Sequence, residues 1–78
     1  MSEQIAEKVV VGLVSGLPKW LIWRERRYQI EKIGLHHTYR EGRTLYHVFS
    51  VVSDTLFLKL RLDTENLTWC LEEVDNGI

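Results

Sequence analysis

The sequence predicts an all-β fold, a small antiparallel meander of five or six strands forming a barrel or half-barrel. Three observations point there. Between its breaks the chain places apolar residues at period 2, the strand period, in preference to 3.6. Those breaks are short and closely spaced, as in small sheet proteins. At 78 residues the chain has room for one domain and not for two, since a typical domain takes about 100–150 residues.

The first strand is expected over residues 8–14, where Val9, Val11 and Leu13 alternate before the Ser15-Gly16-Leu17-Pro18 break. Residues 1–7 then form a flexible start. A helix from Ile5 competes, but Val9-Val10-Val11 is β-branched and Gly12 interrupts it. Leu21-Ile22-Trp23 reads as a short strand, and Arg24-Glu25-Arg26-Arg27 as a tight turn. Tyr28, Ile30 and Lys32 continue the alternation until Gly34. Residues 35–43 are the least regular stretch and are expected as a long loop. A strong strand follows from Leu45 to Val52, with Ser53-Asp54 as a two-residue break that lacks the usual glycine. Leu56, Leu58, Leu60 and Leu62 then share one face, with Lys59, Arg61 and Asp63 on the other. Residues 63–66 supply a turn with Asx-type side chains, and Leu67, Trp69 and Leu71 alternate before the acidic Glu72-Glu73-Val74-Asp75. The expected core is Val9, Val11, Trp23, Tyr28, Ile30, Val48, Leu58, Leu60, Trp69 and Leu71.

Composition narrows the classes. Hydrophobic residues make up 45% and charged ones 27%, with a net charge of −1, which fits one globular domain and excludes a disordered chain. No run approaches the roughly 20 apolar residues of a membrane span, so no membrane partner is expected. The start Met1-Ser2-Glu3-Gln4 lacks the features of a signal peptide. The single cysteine, Cys70, cannot close an internal disulfide, and a reducing cytoplasm is the expected compartment. A chain this short buries only about 60% of its unfolded surface. Its aromatic residues, or a homodimer, must therefore supply much of the burial.

The landmarks run Pro18, then Trp23-Arg24-Glu25-Arg26-Arg27-Tyr28-Gln29-Ile30, then Tyr46-His47-Val48, Leu60-Arg61-Leu62-Asp63, Trp69-Cys70-Leu71 and Val74-Asp75. In that order they resemble a small bacterial, mainly actinobacterial, domain family of unknown function, whose pattern reads W-R-G-R-x-Y-x-V, then D, then W-x-L-x-x-V-x-D. The resemblance covers most of the chain and implies a compact β domain without assigning a reaction. Glu25 departs from the pattern, standing where the family has a turn glycine.

The near-zero net charge hides a segregation. Residues 19–47 carry seven basic and three acidic side chains, and residues 48–78 carry two basic and six acidic ones. Arg24, Arg26, Arg27, Arg40 and Arg43 are candidates for phosphate contact, with Trp20 or Tyr39 as a stacking platform. Basic groups interleaved with aromatic faces suit single-stranded nucleic acid. The plainer reading buries the aromatics and leaves the arginines flanking them. The alternative function is a protein-interaction or homodimerisation module without catalytic activity. There the basic turn and the acidic tail are mutual partners, or an exposed edge strand receives a partner segment.

His36, His37 and His47 form the only other cluster, and adjacent histidines in an extended chain point to opposite faces. No metal site and no cofactor is expected. Cys70, between Trp69 and Leu71, reads as a packed thiol. Glu72 and Glu73 would diverge in a strand, and none of the P-loop, GxGxxG, CxxC or HExxH patterns is present, so no enzymatic activity is expected.

Overall fold

The computed structural model describes residues 2–76. Seven strands follow one another: β1 (Ser2–Val14), β2 (Leu17–Trp23), β3 (Arg26–Gln29), β4 (Lys32–Glu41), β5 (Thr44–Ser53), β6 (Leu56–Asp63) and β7 (Thr68–Asn76). All pairings are antiparallel, in one sheet of order β3-β2-β1-β7-β6-β5-β4. The meander is thus as expected, with seven strands where five or six were foreseen. Because β3 and β4 sit at opposite edges and do not pair, the sheet is not closed into a barrel.

Three sequence expectations need correction. Residues 2–7 are not a loose start: Ser2, Glu3 and Gln4 pair with Asp75, Val74 and Glu73. Residues 35–43 are not a loop, since β4 pairs with β5 from Lys32 through Glu41 and turns only at Gly42-Arg43. Gly42 has φ of +61° at the first turn position, where a two-residue hairpin favours glycine. The turn in residues 24–27 is narrower than expected, comprising Arg24 and Glu25 alone, with Arg26 already in β3. Both turn residues have positive φ, +52° and +65°. The left-handed region costs a non-glycine residue about 1–2 kcal/mol, which is the physical reason a glycine suits the position of Glu25.

Irregularities curl the sheet. Ala6, at φ +56°, lies in a register shift between Gln4 and Glu7, and further shifts occur at Gly12/Leu13, Ile33/Leu35 and Lys59/Leu60. Bulges of this kind bend a strand and raise its twist. β1 uses its length to serve both sides, pairing with β7 as far as Val9 and with β2 from Val10. At the opposite edge Ile30 N–H donates to Lys19 O at 2.9 Å while Glu31 N–H donates to Val52 O at 2.8 Å. Two consecutive residues thereby tie β2 to β5 and draw the two edges toward one another.

The enclosed face holds a single cluster of Leu21, Ile30, Phe49, Val51, Leu58, Leu60, Trp69 and Leu71. Six of the ten expected core residues are buried, namely Ile30, Val48, Leu58, Leu60, Trp69 and Leu71. Val9, Val11, Trp23 and Tyr28 pack half-buried against the cluster. Leu21, Phe49 and Val51 are buried core members that the alternation pattern alone did not single out. Val48 is buried on the opposite, outer face, in register with His37 and Arg61, beneath the layer of longer polar side chains there.

Candidate interaction surfaces

The five candidate arginines do not converge. Arg24 is committed to Glu7, its NH2 group lying 2.7 Å from Glu7 Oε2, while Glu7 Oε1 accepts the Trp23 indole N–H at 2.9 Å. These hydrogen bonds from Arg24 and then Trp23 hold the Glu7 carboxyl below its ordinary value, and the bond to Glu7 raises Arg24. Glu7 thus ties the part of β1 that pairs with β7 to the β2–β3 hairpin. Arg26 lies over the Tyr28 ring at 5.4 Å and Arg27 over the Trp20 ring at 4.7 Å. As neighbours in a strand, the two arginines project to opposite faces.

Arg40 and Arg43 sit elsewhere, at the tip of the β4–β5 hairpin. Eight residues of strand at ~3.3 Å each place Arg40 about 26 Å along β4 from Lys32. Tyr39 is on the outer face of that hairpin, stacked on Tyr46 at 5.0 Å, and Arg61 covers Tyr46 at 5.1 Å. The hydrogen bond that the Arg61 guanidinium donates to the Tyr39 hydroxyl is the main cause that raises Arg61. Trp20 is half-buried and lies across Gly12, since a Cβ there would come within 2.0 Å of its ring. With Arg27 over its ring as well, Trp20 offers no bare platform. Of the seven candidates, the structure joins Arg27 to Trp20, sets Arg24 and Arg26 in the same hairpin, and separates Arg40, Arg43 and Tyr39 from them.

Among the described residues Glu72 and Glu73 of the acidic tail pair with cations other than those of the basic turn. A register shift makes Glu72 the extra residue between Leu71 and Glu73, so both neighbouring carboxylates reach cations of β6 instead of diverging. Glu73 pairs with Lys59 at 2.9 Å and Glu72 with Arg61 at 3.1 Å. Exposed pairs of this kind contribute about 0–1 kcal/mol each. They fix the alignment of β6 and β7 more than the stability.

Two features take a definite place in the fold. The first is the free edge of β4, ten residues long, of which residues 35–39, Leu-His-His-Thr-Tyr, carry no permanent charge. Leu35 is 59% exposed and Tyr39 37%. Gly42 followed by Thr44 and a strong strand was the signal for this hairpin. The second is the face taken by each histidine. His37 is in register with Val48 on the outer face, whereas His36 is in register with Phe49 on the inner one. There it stacks on Phe49 with ring centroids 4.1 Å apart.

Among the described residues no helix is long and apolar enough to cross a membrane. Cys70 is a free thiol, half-buried in β7 beside Lys8 and Arg61. Comparison with protein-family models, with curated proteins and with solved structures finds no match.

Proposed function

We propose that this chain is a non-catalytic interaction module that associates with a second copy of itself along the free edge of β4. The observation that carries this reading is the character of that edge. A sheet's terminal strand presents unpaired N–H and C=O groups, and proteins that remain monomeric blunt it with charge, proline or bulges. Here Lys32 and the register shift between Ile33 and Leu35 guard the beginning of β4, and Arg40 and Glu41 its end, leaving the middle bare. From Leu35 to Tyr39 the strand is regular, exposed and uncharged. It is also self-complementary. Antiparallel pairing about a twofold axis at His37 keeps like faces together and sets Leu35 of each copy opposite Tyr39 of the other. Such a dimer would add the burial that a chain of this size needs.

Sedimentation equilibrium tests the reading. The wild-type chain is expected to form dimers at micromolar concentration, and Leu35→Lys to weaken them at least tenfold while leaving the circular dichroism spectrum unchanged. Leu35 is exposed and outside the core cluster, so the folded monomer tolerates the change. A wild-type chain that stays monomeric at hundreds of micromolar, or a variant that dimerises as well as wild type, overturns the assignment.

A second reading, single-stranded nucleic-acid binding, rests on Arg26 and Arg27. Among the described residues neither has a carboxylate partner, and each lies beside an aromatic ring. With Arg24 held by Glu7 and Arg40 and Arg43 at the distant hairpin tip, the expected footprint is two phosphates of a strand that crosses the β3 edge, one met on each face. For a single strand the slope of log K against log salt should then be about −1.4, at roughly 0.7 per phosphate. Anisotropy of a labelled oligonucleotide across a salt series measures it. Binding that Arg26→Ala/Arg27→Ala leaves intact sinks this reading.

A further inference from the structure

We infer that His36 and His47 form an open, two-ligand site for a divalent late-transition-metal ion, copper(II) above all, on the inner face of the β4–β5 hairpin. Nε2 of His36 and Nδ1 of His47 lie 2.8 Å apart, and the pair is exposed to solvent. The rings come from adjacent strands on one face: His36 is in register with Phe49, and His47 with Thr38. The two imidazoles are therefore diagonal neighbours that meet edge to edge, with centroids 5.1 Å apart and planes 20° from parallel. Phe49 braces the arrangement from behind, 4.1 Å from His36 and inclined to it by only 6°. Because Phe49 is itself a buried member of the core, the pair stands on a rigid support.

The spacing suits a metal as well as a shared proton. Two nitrogens bound to one ion at about 2.0–2.1 Å, at right angles to each other, lie about 2.9 Å apart. The N···N line runs through both ring centres, so exchanging the hydrogen bond for a right-angled chelate turns each ring by about 45° until both lone pairs meet at one ion. In the metal-bound form both facing nitrogens donate a lone pair, and the proton of the hydrogen bond moves to the far nitrogen of its own ring, which stays neutral. Among the described residues no third His, Cys, Asp or Glu joins them. That distinguishes the site from a structural zinc centre, which wants four protein ligands. An exposed pair of imidazoles with water completing a tetragonal sphere suits copper(II), which also leads the affinity order for nitrogen ligands. His37 belongs to the other face and cannot take part.

Titration of the full chain with copper(II) sulfate at pH 7.5, followed by isothermal calorimetry, is the test. One ion per chain should bind with a dissociation constant in the micromolar range. His36→Gln and His47→Gln should each weaken it at least tenfold, whereas His37→Gln should leave it unchanged. Electron paramagnetic resonance of the wild-type complex should show two equatorial nitrogens, a readout that does not depend on whether any variant folds. No binding below millimolar copper, equal loss in the His37 variant, or full affinity without His36 or His47 would overturn the assignment. So would a spectrum with a different nitrogen count.

Discussion

Replacing Leu60 with alanine is expected to lower the unfolding free energy by about 2–5 kcal/mol, the range for deleting a buried leucine side chain. Leu60 has no exposed surface. It lies in register with Phe49 on one side and Leu71 on the other, both buried, so its removal opens a void between neighbours held on strands that cannot close inward. For a chain of this length the total stability is on the order of 4–12 kcal/mol, at about 0.05–0.15 kcal/mol per residue. The variant should therefore shift the urea midpoint strongly, and toward the lower end of that range be largely unfolded in water. Phe57→Ala is the companion measurement. Phe57 belongs to the same strand but is about half exposed, and it should cost much less despite its larger ring. A Leu60 variant that loses under 1 kcal/mol, or less than the Phe57 variant, would show that β6 does not carry the core.

The strands legible in the sequence were those with one buried face. Leu56, Leu58, Leu60 and Leu62 alternate with Lys59, Arg61 and Asp63 because β6 has neighbours on both sides and packs one face inward. The same rule exposed Trp69 and Leu71 in β7. β4 escaped notice because an edge strand with little buried side-chain surface need not alternate. Its residues are almost all exposed, so His36, His37, Thr38 and Arg40 carry none of the apolar period that marks a strand. Residues 2–7 were missed for a similar reason. Their place in the sheet comes from backbone pairing with β7, to which side-chain pattern is blind.

Bulges account for the remaining differences. The extra residue at Glu72 brings two adjacent carboxylates to Lys59 and Arg61, which strict alternation forbids. Glu72 and Glu73 are thereby matched within their own half of the sequence and not with the basic turn. The basic turn found its carboxylate in Glu7, from the first strand. Arg24 was legible as a cation and Trp23 as a core aromatic. Their common partner was not, because it lies sixteen and seventeen residues away in sequence.

Gly12→Ala offers the sharpest test of the one candidate pair that the structure does bring together. A β-carbon at residue 12 would stand 2.0 Å from Cε2 and 2.3 Å from Cζ2 and Nε1 of Trp20, so the ring must leave the strand it lies across. Its contact with the Arg27 guanidinium leaves with it. Forced repacking of this kind costs about 1–3 kcal/mol. The cost should vanish when the ring is absent: in the Trp20→Ala background, adding Gly12→Ala should be close to neutral. A double-mutant cycle by chemical denaturation therefore should give a coupling of about 1 kcal/mol or more between residues 12 and 20. Additive single effects would mean that the ring does not rest on Gly12. The Trp20–Arg27 surface would then be a mobile one, and the nucleic-acid reading would lose its only aromatic held in a fixed place beside an outer-face arginine.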